Sequence, residues 1–377
     1  MSSTTTTKAA TDRLSELRAF DDTKAGVKGL VDAGITAIPA IFHHPTPPSP
    51  SESSLQEEQA VIPVIDLSLS AAAGRAEVVA QVRAAAETVG FFQVVNHGVP
   101  RELLREMLAS VRRFNEQSAA AKRPYYTRDG SRKVRFNSNF DLFQSPAANW
   151  RDTLFCEAAP EPPRPEELPA AVRHVTLEYG GAVRAVAARV LELLAEALGL
   201  RRRALVEMGC ADGVSIVCNY YPACPEPHRA LGCSAHSDPS FLTVLLRDAM
   251  PGLQVLLAGD AGGDKSRWVE VGADVPEALL INVGDLLQLV SNGRFRSVEH
   301  RVVAAREGSR VSVACFCNAD IGRSTRLYGP IPELLSLSPP VYRSVTVREF
   351  LAHYDKKGLD GRPTLHYFLL TSPTHHH

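Results

Sequence analysis

The residues best equipped for chemistry are His236 and Asp238, separated by Ser237, together with His300 far downstream in Val298-Glu299-His300-Arg301-Val302. Two imidazoles and one carboxylate form the facial ligand set that leaves three adjacent positions open on a non-haem Fe(II) ion. In an extended segment, positions i and i+2 point the same way, so His236 and Asp238 can meet one ion while a His from a distant strand closes the face. Ten positions or so beyond His300 comes Arg310-Val311-Ser312, where alternation puts Arg310 and Ser312 on one face. A planar guanidinium beside a hydroxyl is what anchoring the tail of a dicarboxylate co-substrate requires. Upstream, Asn219-Tyr220-Tyr221-Pro222 offers amide and phenol groups from Asn219 and Tyr221 to a substrate or co-substrate.

Each signal is weak alone, since His-x-Asp arises by chance and a lone strand Arg commonly faces solvent. Their order within one β-rich half carries the weight. A zinc hydrolase could use the same three metal ligands, but Arg310 and Ser312 would then have no task. The remaining histidines, among them His97 in the turn Asn96-His97-Gly98, lack a comparable carboxylate partner, and the terminal His375-His376-His377 read as the stub of a tag. Cys315 and Cys317 alternate in an apolar segment and read as buried structural thiols.

The elements that must position these groups follow from pattern. The first twenty or so residues are polar and Thr-rich, which predicts disorder, and the Pro- and Ser-rich stretch 45–54 reads as a linker. Between them, 20–42 predicts a short helix stopped at Ile38-Pro39. Strands are predicted at 61–67 and 91–95, and helices at 77–89, 101–121 and 168–198, the last with an apolar stripe through Val183, Val186, Val190 and Leu194. After Gly213 come short β-branched segments, 214–221, 242–246, 252–257, 268–271, 278–283, 300–303 and 310–317, which suggest an antiparallel barrel or jelly roll.

Composition excludes several function classes. The 41 basic and 42 acidic residues nearly cancel, so nucleic acid is not an expected partner. No apolar run approaches the length of a membrane span, and the polar start Met1-Ser2-Ser3-Thr4 shows no secretory signal. Seven cysteines without a CxxC pair fit a reducing cytoplasm. Nothing demands more than a monomer.

Ile62-Pro63-Val64-Ile65-Asp66-Leu67, Gly90-Phe91-Phe92-Gln93-Val94-Val95-Asn96-His97-Gly98, Asn219-Tyr220-Tyr221-Pro222, His236-Ser237-Asp238, Asn282-Val283-Gly284-Asp285 and the segment from Ser291 through Arg301 to Arg310-Val311-Ser312 together resemble the plant 2-oxoglutarate-dependent dioxygenase family. The resemblance covers nearly the whole chain. It implies a mixed, mainly β fold: a double-stranded β-helix (jelly-roll) core with N-terminal and flanking α-helices. The expected division is a mobile extension and linker over 1–60, a helix-rich region over 61–212, the core over 213–345, and a C-terminal helix and tail over 346–377.

By the same resemblance, Fe(II) sits on His236, Asp238 and His300, and 2-oxoglutarate on Arg310, Ser312, Asn219 and Tyr221. Ascorbate serves as reductant, and O2 and a small-molecule substrate complete the reaction. Phe316 falls where relatives stack an aromatic on a ring substrate, with an ordinary core Phe as the alternative. The early segment and Asn149-Trp150-Arg151-Asp152 resemble a subgroup of aminocyclopropane carboxylate oxidase homologues, deacetoxyvindoline 4-hydroxylase and a dioxygenase of DIBOA-glucoside. A benzoxazinoid glucoside or an indole compound is the expected substrate. Val217 and Asn318 stand where flavonoid-oxidising relatives carry Lys and Glu, which disfavours flavonoids. A 2-oxoglutarate-independent oxidase and a non-catalytic binder on the same fold are the alternatives.

Overall fold

In the computed structural model, which describes residues 3–45, 62–257, 266–273, 275–336 and 338–370, strict alternation decides which side of each strand does what. Two sheets carry the fold. The larger joins β1 (Val64–Asp66), β2 (Phe91–Val95), β3 (Val134–Asn137), β4 (Asp152–Ala159), β5 (Gly213–Tyr221), β7 (Leu242–Arg247), β10 (Leu279–Val283) and β12 (Arg310–Asn318) in the order β1-β2-β10-β7-β12-β5-β4-β3. The smaller joins β6 (Leu231–His236), β8 (Leu253–Leu257), β9 (Arg267–Glu270) and β11 (His300–Val303) in the order β6-β11-β8-β9. Nearly all pairings are antiparallel, and the two sheets face each other as a jelly roll.

On β12, the odd residues Val311, Val313, Cys315 and Cys317 are buried against the helical layer. That layer consists of α3 (Arg75–Thr88), α4 (Arg101–Asn115) and α5 (Arg173–Ala197), which present Val82, Met107, Phe114, Val183 and Val190 to the sheet. The even residues Arg310, Ser312, Ala314 and Phe316 therefore turn the other way, toward the smaller sheet. Tyr221, paired with Arg310, packs there with Cys233 and Val302 of the smaller sheet. All seven cysteines are buried free thiols; for Cys315 and Cys317 the alternation of their segment predicts it.

Two helix limits are tighter than the sequence suggests. The 101–121 helix stops at Asn115 and a short second helix begins at Ala119, because Ser118 caps it by accepting from the Ala121 N–H. The 168–198 helix begins only at Arg173.

The amino-terminal expectation of disorder is corrected. Residues Ser3–Asp22 form α1 and Gly26–Asp32 form α2, so 20–42 holds the end of α1, the short α2 and a single 3-10 turn at Ala40–Phe42. Leu17, Phe20, Val27, Ile38, Ile41 and Phe42 build a satellite core against Trp150. Phe42 meets the edges of Phe20 and Trp150, with ring centroids 5.3 Å and 5.0 Å away. A Thr-rich composition hides this because the apolar anchors are few and widely spaced. The segment is further tied down by Asp152, fully buried at the start of β4, whose carboxylate accepts the N–H groups of Val27 and Lys28 at 2.8 Å each. The predicted linker over 46–54, residue 61 of the first strand and the terminal histidines lie outside the described residues.

If this arm belongs to the cooperative fold, Phe42→Ala should lower the unfolding free energy by about 3–5 kcal/mol, read from urea denaturation. A loss below about 1 kcal/mol would show the arm to be peripheral.

Candidate active site

His236 is the last residue of β6 and His300 the first of β11, and the two are direct cross-strand partners. Their rings lie 4.3 Å apart by centroid. Asp238 does not share a strand with His236, as i and i+2 alternation predicts, but sits in the turn beyond it. It reaches the same point because Asp285 N–H donates to its carbonyl at 2.8 Å, and Gly284 packs so closely on Ser240 that a Cβ would clash with the Ser240 carbonyl. Asp238 Oδ1 is 3.6 Å from His236 Nε2 and 3.5 Å from His300 Nε2. One ligand atom from each of the three residues lies within 4.8 Å of the others, a spacing that can hold a metal ion.

The imidazoles are oriented from behind. His236 Nδ1 lies 2.8 Å from the Ser234 carbonyl and His300 Nδ1 3.2 Å from that of Val298, which assigns the proton to Nδ1 and leaves both Nε2 lone pairs for a metal. Burial lowers the affinity of both rings for a second proton, so they stand neutral as ligands must. Burial opposes the charge on Asp238, and the hydrogen bonds from Thr243 and Asn282 favour it. Thr243 Oγ1 and Asn282 Nδ2 donate to Asp238 Oδ2 at 2.7 Å and 2.5 Å, which spares Oδ1 for a cation.

Thr243 and Asn282 are neighbours in one cross-strand row that runs Phe91, Asn282, Thr243, Phe316, Ser215 across the larger sheet. Phe91 meets His300 edge-on at 5.5 Å, and Phe316, half-buried, stands in the same inward row. Thr243 carries no motif signal. Only its inward parity on β7 could have revealed it.

Farther along the same face, Ser312 lies opposite Asn219 and Arg310 opposite Tyr221. Asn219 Oδ1 accepts from Thr153 Oγ1 at 3.0 Å. Arg310 is 4% exposed, yet its Nε and Nη1 have no hydrogen-bond partner. Its Cζ lies 5.1 Å from the centre of the Tyr221 ring. A buried guanidinium with open donors fits a carboxylate arriving with a small molecule. Seven of the eight candidate residues thus lie on the facing surfaces of the two sheets, and Asp238 joins them from the turn after β6. His97 is separate: its Nε2 donates to the Glu277 carbonyl at 3.0 Å in the turn after β2. Among the described residues no helix is long and apolar enough to cross a membrane.

The chain matches the family model of the 2OG-Fe(II) oxygenase superfamily over residues 213–319. The model described as non-haem dioxygenase in morphine synthesis N-terminal matches residues 62–175. It is 48% identical over 366 residues to 1-aminocyclopropane-1-carboxylate oxidase homolog 1 of Arabidopsis thaliana, covering 95% of this chain and 97% of that protein. A crystal structure of JOX2 in complex with 2OG, Fe and JA superposes with a TM-score of 0.78 at 28% identity, over 92% of this chain and 98% of the other. The rice dioxygenase for auxin oxidation gives 0.67 at 27% identity, over 82% and 100%.

Thr243→Val should weaken Mn(II) binding roughly 10- to 100-fold in a calorimetric titration, because Asp238 would lose one of its two orienting donors. Unaltered affinity would mean that Asn282 alone orients the carboxylate.

Proposed function

Since the chain belongs to the plant 2-oxoglutarate- and Fe(II)-dependent dioxygenase family, we propose that His236, Asp238 and His300 hold its iron and that Arg310, with Ser312, Asn219 and Tyr221, holds 2-oxoglutarate. The observation that carries this reading is the buried, open-donor guanidinium of Arg310 on the face where the two imidazoles and Asp238 meet. It is a 2-oxoglutarate-dependent dioxygenase. When bound, Fe(II) activates O2 so that one oxygen atom enters the substrate while 2-oxoglutarate leaves as succinate and carbon dioxide. Ascorbate keeps the metal reduced.

The chain's own residues do the remaining work. Arg310 and Ser312 orient the far carboxylate, and the Tyr221 ring walls the co-substrate on one side. The inward row of Phe91 and Phe316 keeps water from the metal face and offers an aromatic surface to a ring substrate. The reaction is hydroxylation of a small plant metabolite, of the benzoxazinoid glucoside or indole class. The likeness to the rice dioxygenase for auxin oxidation supports a small-molecule substrate of this kind. The core over 213–345 carries metal and co-substrate, while 62–212 and 346–370 shape the substrate side. The protein works as a cytoplasmic monomer, where its buried thiols stay reduced.

The test is incubation with Fe(II), ascorbate, 2-oxoglutarate and a panel of benzoxazinoid, indole and phenolic metabolites, reading succinate and product mass. His236→Ala and Asp238→Ala should abolish succinate formation without unfolding the chain, and full activity in either would remove that residue from the metal. Arg310→Ala should raise the 2-oxoglutarate requirement by roughly 100-fold, equivalent to about 3 kcal/mol for one partner of a buried charge pair. An oxidase that does not consume 2-oxoglutarate would instead form product with no succinate.

A further inference from the structure

A second guanidinium is buried beside the site, and the co-substrate does not account for it. Arg151 is 9% exposed and its Nε has no partner; the rest of its fork donates to the Tyr221 side chain and, through Nη1, to Cys233 Sγ at 3.3 Å, a weak acceptor. Its backbone is fixed from both sides. Trp150 before it is fully buried and donates its N–H to the Leu231 carbonyl at 2.8 Å, while Asp152 after it clamps the amino-terminal arm. The field of Asp141 reaches Arg151, but Asp141 Oδ2 is engaged by the Leu359 N–H at 2.9 Å and by Ser145, and its Oδ1 is unpartnered too. The two charges therefore do not satisfy each other.

The position of Arg151 is informative. Asp152 pairs with Tyr220, so Arg151 stands one step out, opposite Tyr221, whose ring also borders Arg310. Cys233, its sulfur contact, lies 3.7 Å from His236 Nδ1. Two incompletely paired guanidinium groups thus flank one tyrosine on the inward face, and the sulfur that Arg151 touches neighbours a metal ligand. The two ends of 2-oxoglutarate are already assigned, one to the metal and one to Arg310. The open Nε of Arg151 is left over for a different molecule.

We propose that Arg151 is a specificity-determining residue that takes a planar two-oxygen anion on the substrate, either a carboxylate or an ionised hydroxamate. The flat donor fork of arginine matches such a group, which one phenol and one sulfur cannot replace. This inference rests on the oxygenase reading above.

The experiment uses the full chain with Mn(II) in place of iron and saturating 2-oxoglutarate, so that the metal and Arg310 are occupied and no turnover occurs. Thermal unfolding is followed with aryl carboxylates such as indole-3-acetate and with cyclic N-hydroxy lactams, each against its neutral methyl ester or N-methoxy counterpart. At least one anion should raise the midpoint above that of its neutral counterpart, since a ligand bound to the folded state alone stabilises it. Arg151→Gln should lose this difference while keeping the shift caused by Mn(II) and 2-oxoglutarate, and Arg151→Lys should retain part of it. If no anion outperforms its neutral counterpart, or if the difference survives in Arg151→Gln, the assignment is wrong. A wild-type chain that gives no shift with Mn(II) and 2-oxoglutarate would overturn the oxygenase reading as well.

Discussion

A carboxylate as deeply buried as Asp238 is tolerated only where other groups compensate it, and this one need organises the molecule. Its hydrogen bonds come from Thr243 on β7 and Asn282 on β10, and its free Oδ1 faces His236 at the end of β6 and His300 at the start of β11, where a cation would supply the opposite charge. Removing water from a charge costs several kcal/mol unless hydrogen bonds and opposite charge replace it. The sheets must therefore keep their register, because a slip of one residue would turn Thr243 and Asn282 toward the helices. The helical layer of α3, α4 and α5 holds that register by burying the opposite face of the larger sheet.

The same parity separates structure from chemistry along single strands. On β5, Tyr220 faces the helices and donates its hydroxyl to Glu116 at 2.7 Å, while Asn219 and Tyr221 face inward. On β12, thiols and valines alternate with Arg310, Ser312 and Phe316. Arg310 is held ready by this arrangement rather than by an ion pair. A site whose donors are positioned before the ligand arrives loses little to reorganisation on binding.

Much of this is legible in the sequence, for identifiable reasons. The β12 pattern is a long β-branched alternation, and Arg310-Val311-Ser312 is readable within it. The apolar stripe of α5 stands out through its 3.6-residue period. β6 is not visible, because Leu231-Gly232-Cys233-Ser234-Ala235-His236 has no β-branched residue and only pairing with β11 makes it a strand. Asp238 joins the histidines through a turn and long-range hydrogen bonds, which no local period encodes. Thr243 and Arg151 matter because of what lies across from them, and pairing partners are not written in a single chain.

Asp152 binds the amino-terminal arm through the N–H groups of Val27 and Lys28, and it directly follows Arg151 in the chain. The arm is therefore a structural brace for the wall of the reaction chamber rather than a leader attached to it. The boundaries of the working enzyme cannot be drawn around the barrel alone: the smallest unit that keeps a buried acid satisfied at this wall begins upstream of residue 27.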